Sequence, residues 1–255
     1  AISILKNISL VACEDTRRSG QLLKIIDSKA PIISYHKHNI KSRLPQILEI
    51  LKKNGSIALI TDAGMPGISD PGEELVRFAR SNNHKVICIP GPCAAITALV
   101  ISGLPSQRFC FEGFLPKKQN LRKKIINRIS KEERTTVIYE SPHQIVNLLY
   151  QLSEACGGER PIQIGRELTK RYEESIGQTI KESIEYFQSN TPKGEFTIVL
   201  GGNPNYKKEN ILNEQEAINK LKSLIKQGHK RKEAAKIISE ETGYSKNWLY
   251  SELHK

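Results

Sequence analysis

Side chains able to move protons or hold anions fall into a few short stretches. Cys13-Glu14-Asp15-Thr16-Arg17-Arg18 sets two acids beside two bases, a composition that suits either a polar ligand site or a solvated, salt-bridged turn. Asp62-Ala63-Gly64-Met65-Pro66-Gly67-Ile68-Ser69-Asp70-Pro71-Gly72 places three glycines and two prolines in 11 residues. Glycine admits positive φ and lets backbone amides approach a ligand, while proline fixes the path of the loop. Rigid exposed donors suit a flat polar ligand such as a nucleoside. The stretch is not a P-loop, since no Gly-Lys-Ser/Thr follows, and it is not the dinucleotide G-x-G-x-x-G. Pro90-Gly91-Pro92-Cys93-Ala94-Ala95 opens a helix with small residues, leaving free amides to meet an acceptor or a carboxylate. Charges recur in Tyr139-Glu140-Ser141-Pro142-His143, Arg166-Glu167-Leu168-Thr169-Lys170 and Lys193-Gly194-Glu195-Phe196. Any one of these taken singly is an ordinary surface pair. His36-Lys37-His38-Asn39 lacks a third ligand at metal spacing, so it reads as a polar loop and no metal is expected.

These stretches need a frame. Residues 9–12, 31–35, 56–61 and 85–89 read as strands, alternating with helices over 19–26, 43–53, 73–81 and 93–101. Leu44, Ile47, Leu48 and Leu51 repeat at three and four residues, the period of an amphipathic helix, which Asn54-Gly55 ends. Single helices between strands imply right-handed crossovers and a largely parallel sheet. Ligands of open α/β sheets bind at the carboxyl ends of the strands, where the stretches above fall. After a boundary within 104–116, a second α/β unit has helices over 117–130, 142–154 and 180–188 and strands over 135–140, 162–166 and 196–200. The expected division is 1–107, 108–203 and 204–255. The last part has a polar linker over 205–210 and helices over 214–227, 231–242 and 245–254, broken at Gly228 and Gly243. That pattern fits a helix-turn-helix module or a plain helical cap equally well.

Among 255 residues, 39 Lys and Arg face 27 Asp and Glu, a net charge of +12. Such a balance favours a polyanionic partner, above all nucleic acid. Residues 117–134 hold eight of these cations against only Glu132 and Glu133, which makes either a solvated helix face or a phosphate-contacting surface. A hydrophobic content of 38% with 26% charged residues excludes a disordered chain. No apolar run approaches the roughly 18–20 residues that span a bilayer, and no export signal is present. Five scattered cysteines without a C-x-x-C pair give neither a disulfide framework nor a zinc site. A cytoplasmic protein without membrane contact is expected.

Six motifs follow one another in the order 13–17, 62–72, 90–95, 111–116 (Phe111-Glu112-Gly113-Phe114-Leu115-Pro116), 139–143 and 166–170. Together they resemble the bacterial 16S ribosomal RNA cytidine 2′-O-methyltransferases of the tetrapyrrole-methylase superfamily, over essentially the whole chain. The resemblance implies two α/β domains with S-adenosyl-L-methionine in the cleft between them, a small helical C-terminal module, and a homodimer acting on 16S ribosomal RNA or the 30S subunit. Asp62, Gly64, Met65, Pro66 and Ile68 match the cofactor loop, and Gly91, Cys93 and Ala94 the cofactor-contacting helix start. Tyr139, Glu167, Leu168, Gly194 and Glu195 contribute from the second domain. Position 65 is Met where the family usually has Thr, a change that a backbone contact survives. The family also begins with a strand carrying a Pro- and Gly-containing turn, and the sequence instead opens at Ala1. An upstream segment bearing that strand is expected.

Ribose methylation is an in-line transfer to the 2′-oxygen, in which the enzyme aligns donor and acceptor and a base takes the hydroxyl proton. Glu14, Asp15 and Glu140 are the candidate bases, with His36 as an outsider and Arg17 beside them. Lys117, Lys118, Arg122, Lys123, Lys124 and Arg166 are the expected RNA contacts, with Arg17 and Lys193 as further anion holders. Two alternatives share this fold: a methyltransferase acting on a tetrapyrrole, and a non-catalytic RNA-binding assembly protein.

Overall fold

Short apolar runs closed by polar turns become strands, and the runs of period 3.6 become the helices that cover them. The computed structural model describes residues 1–204, 214–242 and 244–253. A short helix α1 (Ile2–Asn7) precedes β1 (Leu10–Cys13), α2 (Thr16–Ile25), β2 (Ile32–Ser34), α3 (Ile40–Lys52) and β3 (Ile57–Ile60). The three strands form a parallel sheet in the order β2-β1-β3. All four residues of β1 are buried, as a central parallel strand covered on both faces requires. Leu10 and Ala12 join Ile47 and Leu75 on one face, and Val11 and Cys13 join Leu5 and Leu23 on the other, following the two-residue alternation of a strand. Helices α4 (Glu73–Ser81) and α5 (Ala94–Ile101) follow.

The strand expected over 85–89 does not form. Val86, Ile87 and Ile89 are exposed, and the segment pairs with no described strand. A β-prone side chain expresses its preference only against a pleated neighbour, and here none is paired with it.

The second unit contains β4 (Phe109–Phe114), α6 (Gln119–Lys131), β5 (Thr135–Glu140), α7 (Ile145–Cys156), β6 (Ile162–Arg166), β7 (Glu174–Ile176), α8 (Ile180–Ser189) and β8 (Phe196–Leu200). Its sheet has the order β4-β5-β8-β6-β7. Among the described residues only β4 and β5 pair in parallel, and the other three strand pairings are antiparallel. The largely parallel sheet expected of the first unit forms, whereas the sheet of the second unit is mostly antiparallel. The connection from β6 to β7 shows why, since it is too short for the dozen or more residues of a crossover. Ile138 and Ile198 face a core closed by Ile126, Leu148 and Phe187 of α6, α7 and α8. Val137 and Val199, one residue along, face the opposite side and meet Ala95, Ala98 and Leu99. Thus α5, which precedes the expected boundary, covers the middle of one side of the second sheet, over β5, β8 and β6.

Helices α9 (Glu214–Lys226), α10 (Arg231–Thr242) and α11 (Lys246–Glu252) share an apolar core of their own, around Ala217, Leu221, Ile238 and Leu249. The linker expected over 205–210, the break at Gly243 and the end of the last expected helix lie outside the described residues. Among those residues no helix is long and apolar enough to cross a membrane, and no group of three or more His, Cys, Asp or Glu is placed to hold a metal ion.

Candidate active site

The carboxyl end of β1 leads into the paired acids and bases. Glu14 is exposed there. Asp15 is the N-cap of α2: its carboxylate accepts from the Arg17 amide at 2.8 Å and pairs with the Arg17 guanidinium at 2.9 Å. These bonds from Arg17 hold the Asp15 carboxyl down to about 2. Arg18 reaches to 3.7 Å from Asp62, tying this turn to the glycine-rich loop that follows β3.

That loop is folded on itself. The Thr61 hydroxyl donates to Asp70 at 2.8 Å across its neck. Gly64, Gly67 and Ser69 have φ of 72°, 82° and 66°, and strain of this kind in a non-glycine residue such as Ser69 is typical of functional sites. A Cβ on Gly72 would lie 2.9 Å from the Gly67 nitrogen, so only glycine allows the two arms to approach. Met65 and Pro66 are half-buried, while Asp62, Gly64 and Ile68 are exposed. Gly64 lies against the Pro92 carbonyl of the neighbouring turn, and around Gly91 the space is open.

The second unit closes on this pair of loops through Tyr139. Its hydroxyl oxygen accepts from the Ala95 amide in the first turn of α5 at 3.1 Å. Burial, with the nearby Cys93 thiol, pushes the phenol above its ordinary range. The rings of Phe111 and Phe114 stand 5.1 and 5.6 Å from Tyr139. Gly113, with φ of 61°, brings β4 against Ser69 of the glycine loop; a Cβ there would sit 3.1 Å from the Ser69 hydroxyl. Loop, helix start and second sheet therefore meet in one place, around Ser69, Cys93, Gly113 and Tyr139.

A further strained turn joins them through Leu168, which packs with Ala95, Leu99 and Val137. Glu167 and Thr169 have φ of 47° and 65°. The Glu167 carboxylate accepts from the Glu195 amide at 2.9 Å and from Lys170 at 3.1 Å, and Lys170 also bonds Glu195 at 2.7 Å. Burial pushes the Glu167 carboxyl up, but the Glu195 amide and the Lys170 ammonium outweigh it and leave it below its ordinary range. Gly194, with φ of 86°, is required here, because a Cβ would lie 2.7 Å from Glu167 Cγ.

Three expected assignments need correction. Glu140 is buried, not facing a ligand, and Arg122 is buried, not facing RNA. Their side chains are 6% and 3% exposed and pair with each other at 2.7 Å. Arg122 also donates to Gln151, and Glu140 accepts from the Ser141 amide. Arg122 shares a helix face with Ile126 and Ile129, four and seven residues on, a spacing that could have revealed it. Arg166 is bound into the fold, not free for a phosphate: its Nε donates to the Lys193 carbonyl and its Nη1 to Glu174, both at 2.8 Å. By contrast Lys117, Lys118, Lys123 and Lys124 are exposed and, among the described residues, form no ion pair. His36 is half-buried, its Nδ1 without a hydrogen-bond partner among the described residues and its Nε2 3.2 Å from the Asn39 amide. Not foreseen in the sequence were the Thr61–Asp70 bond and the grouping of three aromatic rings.

Comparison with known proteins decides the lineage. Residues 1–183 match the family of Tetrapyrrole (Corrin/Porphyrin) Methylases. The chain belongs to that family. It is 42% identical over 255 residues to the "Ribosomal RNA small subunit methyltransferase I" of Synechocystis sp., covering 98% of this chain and 89% of that protein. The proteins of the same name from Haemophilus influenzae and Bacillus subtilis are 42% and 36% identical, with 98% and 100% of this chain and 88% of each of theirs covered. In fold it is similar to a cobalt precorrin-4 methyltransferase (TM-score 0.55, 15% identity, 78% of this chain and 86% of the other). A uroporphyrin-III-C-methyltransferase from Thermus thermophilus gives a TM-score of 0.54 at 16% identity, with 79% and 86% covered. The cofactor of this family of methyltransferases is S-adenosyl-L-methionine. The residues present fit a nucleoside of that kind: open space at Gly91, left-handed glycines at 64 and 67, and a helix start pinned by Tyr139.

Proposed function

We propose that this chain methylates the ribose 2′-oxygen of a cytidine in 16S ribosomal RNA, using S-adenosyl-L-methionine. The observation that carries the reading is the meeting of the glycine loop, Cys93 and Tyr139, together with Lys117, Lys118, Lys123 and Lys124, which are exposed and, among the described residues, form no ion pair. The similarity to ribosomal RNA methyltransferases along nearly the whole chain supports the same substrate.

The bound cofactor supplies a methyl group already activated by a sulfonium, so the protein's task is to align and to exclude. In this reading Asp62, Gly64, Met65, Pro66 and Ile68 hold it along the loop, and Gly91, Cys93 and Ala94 from the turn and helix start. Tyr139 fixes that helix start, and Glu167, Leu168, Gly194 and Glu195 close the cleft from the second unit. Glu14, exposed at the carboxyl end of β1, takes the 2′-hydroxyl proton in this reading. Asp15 is committed to capping α2 and to Arg17, and so holds Glu14 in position. Lys117, Lys118, Lys123 and Lys124 carry RNA phosphates, which makes binding fall steeply with salt.

Ribose-methylation mapping of 16S RNA tests the proposal. Cells lacking the protein should lose one 2′-O-methyl mark, restored by the wild-type chain and not by Glu14→Ala. A complete set of marks in the deletion cells refutes it.

A further inference from the structure

The three-ring cluster has an open side. Phe111 and Phe114 are three residues apart, so simple alternation along β4 would send them to opposite faces of the sheet. A bulge between Phe111 and Gly113 prevents this. Phe111 stands opposite Val137, whereas Gly113 already stands opposite Ile138 and Phe114 opposite Tyr139. Both phenylalanines thereby share the face of Val137 and Tyr139, the face that carries α5 and Cys93. Bulges of this kind recur beside active sites, where they re-aim a side chain. Here the bulge leaves Phe114 61% exposed and Phe111 37% exposed. Tyr139, the ring both lean on, is held by the Ala95 amide.

We propose that Phe114, backed by Tyr139, is the platform on which the nucleobase of the target nucleotide stacks while its ribose enters the cleft. The inference rests on the RNA reading above and adds a substrate-positioning residue to it. Three features select a nucleobase. A phenylalanine ring offers a flat apolar face and no hydrogen-bond donor, so it suits the face of a planar base and gives a phosphate nothing to bind. Lys117 and Lys118 follow Phe114 by three and four residues, both exposed and unpaired among the described residues, so a polyanionic backbone passing them carries its bases past Phe114. Tyr139 contacts Phe114 and also the start of α5, so a base on Phe114 lies near the helix start that contributes Cys93 and Ala94. Single-stranded RNA is commonly held through bases stacked on aromatic rings beside cationic grooves.

The test uses the full chain with small-subunit particles purified from cells lacking it. Phe114→Ala should lower kcat/KM for the particle by about 10- to 100-fold, the range that loss of one base–aromatic stack gives. Phe114→Tyr, which keeps the face, should stay within about threefold of wild type, and Phe114→Leu, which keeps only the apolar bulk, should resemble Phe114→Ala. Calorimetric affinity for S-adenosyl-L-methionine and mass by light scattering should be unchanged in all three. Wild-type kcat/KM in Phe114→Ala overturns the proposal. So does a loss of cofactor affinity equal to the loss of turnover, which would give the ring to the cofactor's adenine, and so does a change of mass, which would give it to a second copy of the chain. A wild-type protein inactive on these particles would overturn the RNA reading itself, a result distinct from an active wild type matched by Phe114→Ala.

Discussion

Replacing Glu140 by alanine should damage the fold severely and the chemistry hardly at all. The carboxylate lies 2.7 Å from Arg122 with both side chains almost wholly out of water. At an effective dielectric of about 20, two unit charges at that distance attract by about 6 kcal/mol. Desolvating the ions offsets much of this, which is why intact buried pairs contribute little net stability. Removing one partner strands the other charge, and the usual cost is about 3–5 kcal/mol. Gln151 can still accept from Arg122 Nε at 2.9 Å but brings no negative charge, so the full range applies. Urea unfolding of the full chain followed by circular dichroism should show a midpoint lowered by about 1 M or more at unchanged slope. The double variant Arg122→Met/Glu140→Leu removes both charges and should recover most of the loss. Below the transition, Glu140→Ala should bind S-adenosyl-L-methionine as the wild type does. A loss under about 1 kcal/mol, or a double variant no better than the single one, would refute a buried-charge origin.

Gly194→Ala forces a Cβ into Glu167 and a left-handed φ onto alanine, so cofactor affinity by calorimetry should weaken about tenfold or more while the second sheet survives. Tyr139→Phe leaves the Ala95 amide without its acceptor and should cost about 1–3 kcal/mol in thermal or urea unfolding. Asp15 and Glu132 are both held down to about 2, chiefly by side-chain bonds from Arg17 and Arg134. They bind protons more weakly folded than unfolded, so their stabilisation is complete above about pH 4.5 and is lost as the pH falls toward 2. Asp15→Asn with Glu132→Gln should flatten the stability profile in that window alone, as read from unfolding midpoints against pH.

Much of this arrangement is legible in the residues. The glycine loop announces itself by composition, and the stretches at 13–18 and 62–72 follow the carboxyl ends of β1 and β3 because parallel sheets expose their loops there. What escapes the sequence is whatever depends on a partner distant along the chain. Residues 85–89 have strand composition and no ladder. In β4, Gly113 looks like a break but serves as the bulge that gathers the rings. Arg122 sits in a run of cations where every member looks solvent-facing. Only its register with Ile126 and Ile129 sets it apart, and only the position of Glu140 on a neighbouring strand explains how a guanidinium can lie there. The short link between β6 and β7 is readable as an antiparallel turn once β7 is noticed, but three residues carry too little pattern to be noticed alone.

The packing of α5 bears on how this molecule can be dissected. The apparent seam near residue 107 invites expression of the two halves as separate pieces. Cutting there would strip Ala95, Ala98 and Leu99 of Val137 and Val199, leaving a sticky helix on one fragment and a bare sheet on the other. Neither piece would be an honest miniature of the whole. Swapping halves with a distant cousin would succeed only if the joint were moved upstream of Cys93, so that the helix travels with the sheet it covers.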